Sequence, residues 1–386
     1  MKRRLTILSL ILPSILAISV LMACAQSAPA PAPTPAPAPK PAPAPTPTPA
    51  PAPAPAGPSF TFTFAWNDIW GPMAMYEKMF RPGGYFDRLL YEETNGRIKL
   101  NIKPRLFGPN EILAAVGDGR ADMGDFAVPW MAGTYPIFSW GSLPGIVNKD
   151  PAEALAEETF INLDPRVKAL LDKKYREIGV VHLLQPINGQ NNGIWSNKKV
   201  NTLDSFKGLK IRSAGLISTL SLKAVGASPV TISDAEIEAA LYRGTVDAIL
   251  TAPDYGWARG LPALVKYVSL SPLEPTFEFA VVMNAKKYDA LPQDLKDAIE
   301  RVSIMAQKMI GASSSAELQF ALGGIALTKT EKVEFTKEEW DKIVGLIEKP
   351  VTDEWLKISG PDAAELLKYI KEDIANYRAF YNYPLK

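Results

Sequence analysis

The chain has 386 residues, a formal net charge of +1, one cysteine and one histidine. That balance offers no basic surface for nucleic acid. One thiol and one imidazole exclude an internal disulfide and any metal site built from several of them.

The N-terminus reads as an export signal. "MKRR" is basic, residues 5–22 are apolar, and Leu21, Met22, Ala23 and Cys24 resemble a lipoprotein cleavage site with Met22 off pattern. Residues 1–24 are therefore expected to be a lipoprotein signal peptide, with Cys24 as the lipidated residue. Residues 25–58 follow as an Ala-Pro linker, and 15 of the 35 prolines fall between 28 and 58. Such a segment buries no core and favours polyproline II, which at ~3.1 Å per residue spans up to roughly 100 Å. It reads as a stalk between a membrane anchor and a folded part starting near Ser59. No later apolar run reaches the ~18 residues of a membrane span.

The folded part alternates strands and helices. "FTFTFAW" (60–66) and "RIKLNI" (97–102) have strand periodicity, with one helix expected between them over Met73 to Glu93. "EILAAVGDGRADMGDF" (111–126) and "EIEAALYRGTVDAILT" (236–251) echo each other at an offset of 125. Each reads as helix, glycine stop, aspartate, strand. In the second half "GIWSNKKV" and "GLKIRS" read as strands and "LISTLSLKAVG" as a helix ending at Gly226. A largely parallel sheet with helices on its faces is expected. After the strand "FEFAVVMN" come a long amphipathic helix beginning near Pro292, a capped helix from Thr336 with capping-box spacing to Glu339, and a last helix over Asp362 to Tyr377. The architecture implied is two α/β halves around a cleft, with ligands at the carboxyl ends of strands.

Signals for catalysis are thin. His182 sits in the apolar strand "VVHLL" and reads as structural. "GDGRADMG" has Asp122 where a phosphate loop needs its third glycine, and no G-x-x-x-x-G-K-[ST] or G-x-S-x-G occurs. The acid pairs at 92–93, 157–158 and 338–339 read as solvated helix faces. No cofactor, metal or catalytic residue is expected.

"LDSFKGLKIRSAG" with "LKAVGASPVTISDAEIEAALYRGTVDAIL" resembles the second-domain core of TRAP-transporter substrate-binding proteins, the DctP-type receptors. "EETNGRIKLNI" with "EILAAVGDGRADMGDF" resembles their first domain, and "NAKKYDALPQDLKDAIE" the start of their long C-terminal helix. The resemblance implies an α/β, two-domain periplasmic-binding-protein-like fold, with a ligand cleft and a long domain-spanning C-terminal helix. Domain I is expected over 59–185 plus about 270–322, and domain II over 186–269 plus about 323–386. It also implies an extracytoplasmic receptor, not an enzyme. That receptor captures a small organic acid and delivers it to the TRAP permease membrane subunits. A receptor of similar fold for another transporter or a sensor, and an exported hydrolase, stay open as alternatives.

The resemblance places the family's carboxylate-binding arginine at Arg212. A planar guanidinium fork matches a carboxylate, and a dry cleft strengthens the pair. The second arginine of sialic-acid-type members falls on Asn192, and their asparagine on Thr251. The Glu-Trp pair of keto-acid-type members falls on Leu250-Thr251, which speaks against a bridging metal. "LEPTFEF" resembles a segment of that subgroup and makes Glu274 a candidate. Asn191, or Gln190 after a one-residue slip, aligns with a ligand-contacting glutamine. Aromatic and polar residues after strands complete the candidate set: Trp66 and Asn67, Phe126 and Trp130, Tyr255 and Trp257. Gly215 is expected to turn the chain into its helix and to leave backbone N–H groups toward the ligand.

Overall fold

A computed structural model describes residues 57–69, 74–147, 151–190, 193–232 and 234–381. The signal, Cys24, the linker up to residue 56 and Asn191 lie outside the described residues. Among the described residues no helix is long and apolar enough to cross a membrane.

Twelve strands are described: β1 (Phe60–Trp66), β2 (Ile98–Pro104), β3 (Met123–Ala127), β4 (Val180–Leu184), β5 (Ile187–Gln190), β6 (Gly193–Ser196), β7 (Lys210–Ser213), β8 (Ser228–Thr231), β9 (Ala248–Thr251), β10 (Tyr267–Leu270), β11 (Thr276–Asn284) and β12 (Glu331–Val333). They form two sheets. The first lobe has the order β2-β1-β3-β11-β4, with β5 also on β11; the second has β12-β10-β6-β9-β7-β8.

The sheets are mixed, not largely parallel. β1 runs parallel to β2 and β3, and β7 to β8 and β9. β11 is antiparallel to β3, β4 and β5, and β6 is antiparallel to β9 and β10. The strands that change lobe cause this. The chain leaves the first sheet after Gln190 and joins the second at Gly193; it returns between Leu270 and Thr276. The two passages pair with each other, β5 on β11 and β6 on β10, as an antiparallel ribbon that needs no crossover helix.

Alternation decides which core each residue enters. Phe62, Phe64 and Trp66 of β1 share a core with Phe277, Phe279, Val281 and Met283 of β11. Ala65, Ala280 and Val282 face the opposite core. All nine residues of β11 are buried, as a central strand covered on both faces requires.

The repeat is structural. Gly119 and Gly244 both end their helices at positive φ, +80° and +70°. The aspartates three residues on then clamp a neighbouring strand. Asp122 accepts from Thr63 N at 2.8 Å and returns its own N–H to Thr63 O at 3.0 Å. Asp247 does the same with Lys210, at 3.0 and 2.7 Å.

Three expectations about helices are corrected. The single helix over 73–93 is two, Met75–Phe80 and Tyr85–Glu93. Pro82 holds Arg81 extended, and Gly83 turns the chain at φ +69°. At Thr336 the hydroxyl caps Glu339 N at 3.2 Å, but the Glu339 carboxylate accepts from Leu203 N at 2.7 Å instead of turning back. The pair Glu157–Glu158 is fully buried, not solvated. Glu157 accepts two bonds from Arg378, at 2.5 and 3.1 Å, because the helix Asp362–Tyr381 covers that face. That helix packs on the helices Pro151–Asn162 and Pro165–Glu177, while Lys337–Ser359 touches Leu216–Ala224 of the second lobe.

The long helix runs over Gln293–Ala326, 34 residues, or ~50 Å at 1.5 Å per residue. It packs on Met75–Phe80 and Tyr85–Glu93 of the first lobe and on Pro253–Ala258 and β12 of the second. His182 is buried and stacks on Tyr175 at 4.7 Å; burial lowers its pKa to about 4.

Candidate functional site

The parallel strands β7, β8 and β9 end together at one cavity, and the first lobe supplies the facing wall. The space is lined by Arg212, Ala214, Asp234, Thr251, Ala252 and Tyr255 from the second lobe. Ile69, Trp130 and Phe277 line it from the first. Each lining residue of the second lobe sits at or just after the carboxyl end of β7, β8 or β9. Ile69 and Trp130 likewise follow β1 and β3. This is where open α/β sheets leave a crevice.

Arg212 is 3 % exposed. Its Nε donates to Ile232 O at 3.3 Å, Nη1 to Leu250 O at 3.4 Å and Nη2 to Asp234 Oδ1 at 3.4 Å. A guanidinium has five N–H groups. Among these bonds one proton on each terminal nitrogen remains, and a guanidinium can give a carboxylate two such bonds. Burial draws the Arg212 pKa below its ordinary value, opposed by Asp234, Tyr255 and Glu274. Arginine nevertheless stays charged.

Asp234 joins Arg212 to a second cation. Its Oδ2 accepts from the Tyr255 hydroxyl in a short bond and from Arg259 Nη1 at 3.3 Å. Arg259 also forks onto Glu238, at 2.5 and 2.7 Å. Burial pushes the Tyr255 phenol well up, with Asp234 adding to the shift.

Glu274 lies in the passage between β10 and β11, fully buried, and bonds Ser218. Burial pushes its pKa up to about 8, against the pull of Ser218 and Arg212. It stands behind Arg212 without lining the cavity.

Of the residues expected from sequence, Arg212, Trp130, Thr251 and Tyr255 line the cavity. Trp66 instead fills a core of the first lobe, and Phe126 a core that runs on into the second. Trp257 packs over Gly324 of the long helix, where an added Cβ would lie 2.5 Å from the indole. Asn67 is 4 % exposed and its N–H bonds Asp125 Oδ1 at 2.8 Å. Burial raises Asp125 to about 7, offset in part by that bond. Gln190 pairs through its backbone with Thr276.

Ile69, Ala214, Asp234, Ala252 and Phe277 were not singled out by sequence. Phe277 carries a strand-alternation signal, but period two says only which face it shares. Asp234 had no signal, because its role depends on β8 lying beside β7.

Gly215 follows β7 with extended backbone and needs its missing Cβ for space. A Cβ there would lie 2.5 Å from the carbonyl oxygen of Pro129, across the cleft. Its N–H does not serve a ligand: it donates to Ser218 Oγ at 3.1 Å. Gly215→Ala is expected to prop the lobes apart and weaken binding by about tenfold, with a stability loss of only ~1 kcal/mol. Calorimetry and small-angle scattering would check this; unchanged affinity and an unchanged profile would refute it.

Residues 81–355 match the family described as "Bacterial extracellular solute-binding protein, family 7" (DctP). The C4-dicarboxylate-binding periplasmic protein DctP of Rhodobacter capsulatus is 26% identical over 294 residues, covering 73% of this chain and 84% of that protein. A TRAP periplasmic solute-binding protein from Desulfovibrio salexigens, solved with bound orotic acid, has a TM-score of 0.73 at 20% identity; the match covers 82% of this chain and 99% of that one. A Bordetella pertussis extracytoplasmic receptor, DctP7, binding pyroglutamic acid, has a TM-score of 0.70 at 20% identity, covering 81% and 100%. The chain belongs to the DctP family of extracellular solute-binding proteins, the receptors that work with TRAP membrane permeases.

Proposed function

We propose that the chain captures a small organic monocarboxylate outside the cytoplasmic membrane and hands it, unchanged, to a TRAP permease. Arg212 anchors the carboxylate through its two remaining η protons. Ile69, Trp130 and Phe277 receive an apolar or aromatic body, and Thr251 offers a hydroxyl, while that of Tyr255 stays on Asp234. Asn67, Gln190 and Asn191 are proposed as further polar contacts; the buried amide of Asn67 has no side-chain partner among the described residues. Cys24 would carry the lipid that holds the receptor at the membrane. Domain I (59–185 plus about 270–322) and domain II (186–269 plus about 323–386) would close on the ligand about the antiparallel ribbon.

The observation that carries this reading is one buried guanidinium aimed into a cavity whose other walls are mainly apolar. Arg212 shares the Asp234 carboxylate with Arg259, and an incoming carboxylate adds a second charge-assisted partner for its guanidinium. The related proteins solved with orotic and pyroglutamic acid lend support, both being small carboxylic acids. Native mass spectrometry of the full chain, purified gently in detergent, is expected to release a bound acid. Recovery of that acid chemically altered after incubation would overturn the binding-only reading. Preferential retention of a cationic or uncharged solute would overturn the carboxylate reading.

A further inference from the structure

We propose that Asp234 sets the charge class of the ligand, making the site accept one negative charge and reject two. The inference rests on the proposed carboxylate anchor at Arg212 and adds what happens to the rest of the ligand.

The charges at the cavity already balance. Arg212 and Arg259 face Asp234 and Glu238, and the three ion pairs join them into one cluster, at 3.4, 3.3 and 2.5 Å. Arg259 is not part of the cavity wall, being held on Asp234 and Glu238. Among the described residues Arg212 is thus the one cation lining the space, and Asp234 the one anion. The remaining wall is Ile69, Trp130, Phe277, two alanines and two hydroxyl side chains.

A monocarboxylate on Arg212 places its body against apolar side chains. A dicarboxylate would place a second charge in a space without another lining cation, beside the Asp234 carboxylate. Desolvation and like-charge repulsion then act together, and such juxtapositions suppress wrong partners strongly. Asp234 also fixes Arg212. Its Oδ1 takes one η2 proton and holds the guanidinium in place.

The test uses the full chain in detergent at pH 7.5, with matched acids: benzoate against phthalate, and butyrate against succinate. Calorimetry should show the monoacids binding at least about tenfold more tightly than the diacids. Asp234→Asn keeps the shape and removes the charge; it should narrow that ratio at least about fivefold, mainly by strengthening the diacids. Asp234→Ala should shift the ratio the same way. Equal binding of both classes by the unmutated protein overturns the inference. So does a uniform loss of both classes in the variants, which is what a merely structural role produces. If Arg212→Ala abolishes binding while both Asp234 variants keep the ratio, the inference falls and the anchor stands. If Arg212→Ala binds normally, or no acid of the set binds the unmutated chain, the anchor and the inference fall together.

Discussion

Arg212→Ala is expected to weaken binding of the acid retained by the native protein by at least ~2 kcal/mol, roughly 30-fold. The ligand carboxylate would remain desolvated in the cavity with no guanidinium to meet it. The loss should appear mainly in the dissociation rate, since a buried pair holds the complex once formed. Arg212→Lys should recover little. An ammonium has no planar fork and cannot bond Ile232 O, Leu250 O and Asp234 while still presenting two protons to a carboxylate. Titration calorimetry with the identified acid decides the matter, and an unchanged affinity in Arg212→Ala would remove the anchor.

The second large effect concerns pH. Glu278, on β11, is fully buried, and Gln185 Nε2 donates to it at 2.7 Å. A Cβ built on Gly141 would fall 1.4 Å from Glu278 Oε1 and 3.2 Å from Glu158 Oε1, so both carboxyls crowd one point. Burial raises the pKa of Glu278, with Gln185 opposing and Glu274 adding to it. Burial and then Glu278 raise Glu158. Glu274 stands at about 8 for the same first cause.

Folded pKa values above the unfolded ones mean that the folded protein holds these protons more tightly. Their contribution to stability is complete below the ordinary carboxylate value of 4.5 and is lost as pH rises toward about 8. Thermal stability should therefore fall across that window. Glu278→Gln, which stays neutral and keeps an acceptor for Gln185, is expected to be at least ~2 kcal/mol more stable than the unmutated chain at pH 8. The two should be nearly equal at pH 5. Chemical denaturation at the two pH values measures this; an advantage of the same size at both would show that proton release is not its source.

Much of the fold was legible. β1 was visible because its phenylalanines and threonines alternate, and the long helix because its apolar residues recur at helical spacing after Pro292. The repeated Gly-x-x-Asp carried more than composition could say. It marks the same strand clamp in both lobes, on Thr63 and on Lys210. The helix break at Pro82-Gly83-Gly84 was readable in principle, since proline and glycine stop helices through their own backbone limits. Strand direction was not, because β6 and β11 join sheets made from distant segments.

The site divides the same way. Arg212 could be singled out because a charged residue at a strand end, followed by a turn glycine, is a local pattern. Asp234 could not, since nothing within its own segment predicts that β8 delivers it to Arg212. Trp130 and Trp257 look alike in sequence, each an aromatic just after a repeat strand. One lines the cavity, and the other packs on Gly324 of the long helix. Glu157 and Glu158 likewise read as surface acids until a helix from the end of the chain and β11 covered them.

By itself, the sequence determined the elements, the two-lobe plan, the resemblance to a receptor family and Arg212 as the candidate anchor. The elements and the plan follow from periodicity and backbone limits, which act over a few residues; the role of Arg212 is what the resemblance implies. The tertiary structure alone decided strand direction, which aromatics line the cavity, and how Asp234 balances the charge on Arg212. Those depend on residues far apart in the chain meeting in a space shielded from water, where a single unmatched charge is far costlier than at the surface.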